Sequence, residues 1–475
     1  MSPASCARKW FVLMGLLSAF PALVSGQGTS LSGNDFAVSG GLQKDQITPS
    51  SAFGVSGGFS VWADNITDPS GLGISAQRLD ASFSPVGGVI HVNQTWGSDQ
   101  QRPEIALLHD GGAVVVFQSG RSGAQNVLAR FLNAAGGFTT SDLLVNDPAI
   151  TQSIRYKTTW TLIKNNRVRT QTQNLTDKIQ NRHEFNANPC VAVLNDGTVV
   201  IAYGSSRVCK TNTFGLSEVV SWDYKKDIAI TNRTRVPLTL VAESMQDVYV
   251  QRFSAAGVKL GGEFRANQFS EFNQRDASIT PLDNGNFAIT WVSEQQRGNG
   301  RIDIYARIFD KQGIPMGNEF CISTAAVLPC GSPTVAATSG GAFTVAWVQR
   351  SEVVTNGMDI YARTFDAGGN PAGDAAGVNT FTYGDQFAPS IASLGAQQVI
   401  VWSSMGQDGS WEGVYGRAFN SATPIGDEFR VNVATPFKQI QPHISSDRLG
   451  RALVLWSGYA VETGFDVFGR IYLAP

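Results

Sequence analysis

The sequence runs to 475 residues with a formal net charge of −2 and only 16% charged residues. A chain so close to neutral carries no global basic field, so nucleic acid is not expected as a partner. No stretch beyond the N-terminal segment approaches the run of about 18 apolar residues that a membrane span needs.

The first 26 residues read as a secretory signal peptide. Arg8 and Lys9 form a basic start, Trp10 to Leu23 is a short apolar run, and Val24-Ser-Gly26 offers small residues for cleavage. The C-terminal Tyr472-Leu-Ala-Pro475 has neither a lipid-anchor tail nor a retention signal. The expected location is therefore extracellular, with the mature protein as one domain over 27–475. An oxidising location suits disulfides for the four cysteines that remain after Cys6 is removed.

The mature chain repeats. Each unit begins with an apolar run, led in six of the seven by a proline, as in Pro389-Ser-Ile-Ala-Ser-Leu394. A second strand ends in an aromatic at Trp62, Phe117, Tyr203, Trp291, Trp347, Trp402 and Trp456. A third strand is anchored at Leu79, Leu132, Phe253, Phe309, Phe365, Phe419 and Tyr472, and a fourth ends in Asn or Ser. Turns such as Asp110-Gly-Gly, Asn195-Asp-Gly and Asp283-Asn-Gly supply the positive φ that tight hairpins require.

The last unit, Asp466 to Tyr472, lacks its fourth strand. The missing motif stands at the front of the chain as Gly33-Asn-Asp-Phe36, matching Gly317-Asn-Glu-Phe320. A repeat completed by its own N-terminus describes a ring. The pattern therefore predicts an all-β, seven-bladed β-propeller with four-stranded blades, the last closed by the N-terminal strand. The arginines recurring at 130, 307, 363, 417 and 470 are expected to hydrogen-bond between blades rather than to bind a ligand.

One blade departs from the repeat. Leu132 and Phe253 are 121 residues apart, where the other intervals are 53 to 56. Blade three thus carries two inserts, at about 150–188 and 204–246. In a meander both connections leave from the same face of the disc. The sequons at Asn65, Asn93, Asn174 and Asn232 fall on loops of that face, as do the cysteines. Four cysteines allow three pairings; Cys190–Cys209 and Cys321–Cys330 are the simplest.

The 150–188 insert holds seven Lys or Arg against Asp177 and Glu184, and the 204–246 insert six against four acids. Aromatics are interleaved. Arg155, Tyr156, Lys157, Trp160, Arg167, Arg169, Trp222 and Tyr224 are the candidate binding residues, because cations neutralise carboxylate or sulfate while rings stack on sugar C–H faces. A solvated hairpin with alternating polar residues is the competing account. An acidic polysaccharide or glycoprotein is the expected partner, and a monomer the expected state.

No nucleophile elbow, zinc-ligand spacing or phosphate-binding loop is present, but an eliminating enzyme leaves no compact motif of this kind. The enzymatic alternative is a polysaccharide lyase acting on a uronic-acid polymer. It needs only a base and a cation beside the substrate carboxylate. His183, His443 and Tyr156 are the candidate bases, and Arg155 and Arg182 the candidate neutralisers. His443 and Glu104 are the ionisable departures from a ring of small residues leading the innermost strands. His91 is expected at the surface. No cofactor is expected. The recurring Asp45, Asp99 and Asp385 offer oxygen ligands for calcium, but capping of the first strand accounts for them better.

The units Asp359-Ile-Tyr-Ala-Arg-Thr-Phe-Asp-Ala-Gly-Gly-Asn-Pro371, Gly384-Asp-Gln-Phe-Ala-Pro-Ser390 and Gly406-Gln-Asp-Gly-Ser-Trp-Glu-Gly-Val-Tyr-Gly-Arg417 resemble a repeat of large secreted bacterial adhesin-like and calcium-toxin-type proteins. The resemblance covers nearly all of the mature chain and is architectural. It implies an extracellular propeller and brings no catalytic residues with it. The expected function is recognition of an acidic glycan or glycoprotein, with the lyase and a structural wall or matrix component as alternatives.

Overall fold

Each repeat folds as an antiparallel meander because alternating apolar residues are separated by turns that reverse the chain. In blade one, Gln46–Gly54, Gly57–Asp64, Gly73–Leu79 and Pro85–His91 pair in sequence order. The second strand is buried almost throughout, while the fourth is largely solvent-facing. This is the gradient expected from the channel wall to the rim.

The computed structural model describes residues 30–474 apart from 41, 149–150, 165–166, 224–227, 354–355 and 422, and only the backbone of 30, 151–184 and 207–244. Seven such sheets form the protein. The described residues contain no α-helix, and no helix long and apolar enough to cross a membrane. The signal peptide expected over 1–26 lies outside the described residues.

The ring closes as the repeat predicts. Ser30–Ala37 pairs antiparallel with Gly464–Leu473, Leu31 opposite Tyr472 and Phe36 opposite Gly469. The closing strand begins slightly before the Gly33 motif. Asp35 fixes it further by accepting the Val433 and Ala434 amides at 2.8 and 3.1 Å.

The repeated arginines stitch blades together. Arg307, Arg363, Arg417 and Arg470 each donate through one terminal nitrogen to the preceding blade, at Ala266, Ile322, Val378 and Val431, over 2.7–3.2 Å. Their Nε atoms donate within their own blade, to Gly317, Gly373, Gly426 and Gly33. Trp62, Trp291, Trp347, Trp402 and Trp456 are all but completely buried in the blade cores.

In five blades an asparagine just after the fourth strand closes the blade from within. Asn93, Asn146, Asn267, Asn379 and Asn432 accept a third-strand amide at 2.6–2.9 Å. This corrects the expectation for the Asn93 sequon. Asn93 is 1% exposed, and its amide donates to Thr95 and Gln100 at 3.0 Å, so a glycan there would require opening the blade. Asn65 is half-buried, with its oxygen on the Asp45 amide at 3.1 Å. The side chains of Asn174 and Asn232 lie outside the described residues.

Blade three has a fifth strand. Its sheet runs Thr151–Lys164, Arg167–Val193, Val199–Asp223, Ile228–Phe253 and Phe264–Arg265. The second of these is both flap strand and, at its C-terminal end, innermost blade strand. The two inserts therefore extend one sheet from one face of the disc, and the backbone of Asn232, opposite Val219, lies in that extension.

Neither expected disulfide is formed: Cys190, Cys321 and Cys330 are free thiols. Cys190 stands opposite Ala202, whereas Cys209 stands opposite Asn181, far along the same ladder. The Cys209 side chain lies outside the described residues. Cys330 is buried, and burial pushes its thiol up to about 12.

Candidate functional site in the central channel

Seven β-bulges shape the channel mouth. In each innermost strand the register with the second strand slips, between Ile47 and Ser50, Gln101 and Glu104, Ala187 and Cys190, Arg275 and Ser278, Gly331 and Thr334, Phe387 and Ser390, and Ile440 and His443. One residue of every bulge is left-handed: Thr48, Arg102, Asn188, Asp276, Ser332, Ala388 and Gln441 have φ of 46° to 57°. Non-glycine residues adopt this conformation at a cost of roughly 1–3 kcal/mol and keep it only where surroundings enforce it. A bulge re-aims the side chains beside it. Proline follows in six of the seven, where the ladder is already interrupted.

The bulges surround a cavity of about 540 Å3 lined by the first halves of the innermost strands. Those strands begin on the face from which the blade-three inserts rise, so the cavity opens there. Polar bonds cross the mouth between blades. The Thr48 amide donates to Gln441 Oε1 at 2.9 Å, and Asn188 Nδ2 donates to Asp276 Oδ1 at 2.8 Å. Arg275 pairs with both Asp276 and Glu294, at 2.7 and 3.0 Å. Arg102 is exposed at the rim.

Two titratable side chains share one serine below the mouth. Ser50 Oγ donates to Glu104 Oε2 at 2.8 Å and lies 3.4 Å from His443 Nε2. Ser51 Oγ is 3.3 Å from His443 Nδ1 and 2.6 Å from Ser445 Oγ. Burial pushes the Glu104 carboxyl up to about 7, although the Ser50 bond and Arg102 pull it down. Burial pushes His443 down to about 4. Each keeps a sliver of contact with the cavity while protein encloses it on the other sides. The residue that titrates near neutrality is therefore the carboxylic acid, and the imidazole is neutral.

Of the sequence-selected bases, His443 lines the cavity. His183 stands opposite Arg207 in the flap ladder, and Tyr156 opposite Leu175. Their side chains lie outside the described residues, as do those of Arg155, Lys157, Trp160, Arg167, Arg169, Arg182, Trp222 and Tyr224. In the backbone register Arg167 faces Lys164 and Arg169 faces Leu162, which sets the basic run on both strands of one hairpin. His91 departs from the expected surface position: its ring packs 5.0 Å from Trp96, and both ring nitrogens are buried.

The recurring aspartates act between blades. Asp45 accepts the Phe465 amide, Asp99 that of Leu72 and Asp385 that of Met358, at 3.0–3.1 Å. They cap the preceding blade's third strand rather than their own first strand.

No protein-family profile matches the chain, and no curated protein does. Among solved structures, a protein of unknown function from Dyadobacter fermentans is similar over 78% of this chain and 94% of its own, at 11% identity and a TM-score of 0.47. A sialidase from Streptococcus pneumoniae is similar over 95% and 98%, at 8% identity and 0.44. An α-L-arabinofuranosidase from Fusarium graminearum is similar over 92% and 98%, at 11% identity and 0.43. The fold assignment rests on the strand order itself.

Proposed function

We propose that the protein is a secreted recognition protein that binds an acidic glycan or glycoprotein at the channel mouth. The observation that carries this is positional: the polar cavity opens on the face from which both basic inserts of blade three rise. Loops on a rigid scaffold are the usual seat of binding. The flap attracts the polyanion, and the ring of Thr48, Asn188, Asp276, Ser332 and Gln441 offers hydrogen bonds to hydroxyls. The test is binding to polygalacturonate across a salt series. Affinity that falls steeply with salt supports the reading; no binding to any uronic-acid or sulfated polymer overturns it.

A second reading is catalytic and is favoured by Glu104. A carboxyl that deprotonates near pH 7 is placed to act as a general base in a lyase. It would take the proton from carbon 5 of a uronate as the bond from carbon 4 to the leaving oxygen breaks, forming the 4,5 double bond. The leaving oxygen would take a proton from solvent or a neighbouring donor, and Arg102 would offset the substrate carboxylate. His443, held near 4, is the weaker base at neutral pH. Absorbance of the unsaturated product, lost in Glu104→Gln but kept in His183→Ala and Tyr156→Phe, would establish this reading. No product from any uronic-acid polymer would leave binding alone.

A further inference from the structure

Exposed rings are distributed unequally over the two faces. Among the described residues, the exposed aromatics are Trp96, Tyr383, Trp411, Phe437 and Tyr459. Trp96, Tyr383, Trp411 and Phe437 lie on loops between second and third strands or between blades, and Tyr459 lies at the end of the second strand Arg451–Ala460, hence all on the cavity face. The opposite face exposes aliphatic residues instead, at Val55, Val258, Ile314, Met316 and Leu449.

Three of these rings form a connected strip over blades six and seven. Trp411 is 61% exposed, and Lys438 Nζ sits 5.3 Å over its ring. The next residue back, Phe437, is 43% exposed and meets Tyr459, 40% exposed, edge-on at 5.7 Å. Tyr459 in turn packs on Phe465 at 5.3 Å. The strip runs straight into the cavity, because the strand Gln439–Ser446 begins right after Lys438 and carries Gln441 and His443 in the cavity lining.

We infer that Trp411, Phe437 and Tyr459 form an extended subsite that holds the chain of a polysaccharide whose end or side group enters the channel. This rests on the glycan-binding reading above and adds where the polymer lies. Ring faces are electronegative and attract the polarised C–H bonds of a sugar face. Phe437 and Tyr459 are already braced by edge contacts and Trp411 by Lys438, so little side-chain freedom is lost on binding. A protein partner fits less well, since the strip is broken by the Lys438–Glu412 ion pair at 3.3 Å and leads into a polar cavity.

The test measures binding of the full-length protein to polygalacturonate, to short oligogalacturonides and to a panel of neutral polysaccharides. Trp411→Ala and Tyr459→Ala are expected to weaken binding of the long polymer at least about tenfold, a contribution of stacked rings that ordinary aromatic contacts reach when combined. The short oligomer should be held unchanged, Trp411→Phe should restore the polymer, and Leu449→Ala on the opposite face should do nothing. Unfolding curves matching the native protein confirm that each variant is folded. Polymer binding that survives both alanine variants overturns the subsite and leaves the glycan reading intact. Strip-dependent binding of a neutral polymer alone keeps the subsite and overturns the acidic ligand. Binding of no polysaccharide overturns both.

Discussion

Ser50 Oγ, on the innermost strand of blade one, donates to Glu104 Oε2 of blade two at 2.8 Å and faces His443 of blade seven. One hydroxyl thus joins three blades across the seam where the ring closes. It also stands between an acid and a base whose ordinary affinities for a proton are reversed in order.

That reversal has a measurable signature. Glu104 holds its proton more tightly when folded, so its contribution is intact below about 4.5 and is lost as pH rises through about 7. His443 does the opposite, with its contribution intact above about 6.5 and lost as pH falls through about 4. In the native protein the two trends oppose each other. Glu104→Gln should therefore gain stability relative to the native protein as pH rises from 4.5 to 7. His443→Gln should gain as pH falls from 6.5 to 4. Each gain is at most about 3 kcal/mol, since cavity water solvates part of both groups. Urea midpoints across this range check it; parallel profiles for all three proteins would refute the assignment.

Charge reversal at Arg167 and Arg169 should weaken polygalacturonate binding and flatten its salt dependence. Exposed charges are screened over about 8–10 Å near physiological ionic strength, so the effect should be largest in dilute buffer. Reversal at Lys311 is the control, because it sits on the opposite face beside Asp196 at 3.8 Å. Equal losses from both would remove the case for a localised flap.

Removing residues 30–37 should expose the edge of Gly464–Leu473. An unpaired edge is a template for another chain, so self-association measured by light scattering is expected, with a lower melting temperature. A milder version is Asp35→Ala, which leaves two amides of the preceding blade without their acceptor and should cost about 1–3 kcal/mol. A monomeric, equally stable deletion would contradict the closure.

Arg417→Lys should lower stability by about 1–2 kcal/mol. A lysine has one point of charge, while the guanidinium donates to Val378 and Gly426 together, at 3.1 Å each. Chemical denaturation reads the loss directly. No change would mean that these bonds exchange freely with water.

The blade count, the ring closure and the inter-blade role of the arginines were legible in the sequence because they repeat. Trp291, Trp347 and Trp402 mark equivalent positions through chemistry that is local to each unit, and Gly33-Asn-Asp-Phe36 declares its kinship with Gly317-Asn-Glu-Phe320 wherever it stands. The inserts were legible for the converse reason, as the place where the interval failed. The role of Asn93 was not. Its tripeptide describes a glycan acceptor, and only burial in the blade shows an internal clasp.

The channel site was decided by the tertiary structure. Ser50 and His443 are 393 residues apart in sequence and become neighbours only because the ring closes. Glu104 and His443 stood out as departures from small residues, but nothing local to either could say which would titrate near neutrality. That depends on desolvation by the walls of three blades. The strip from Trp411 to Tyr459 likewise joins two blades through loops with no shared motif. Repetition writes a fold into a sequence several times over, whereas a site drawn from different blades is written nowhere until the ring brings its parts together.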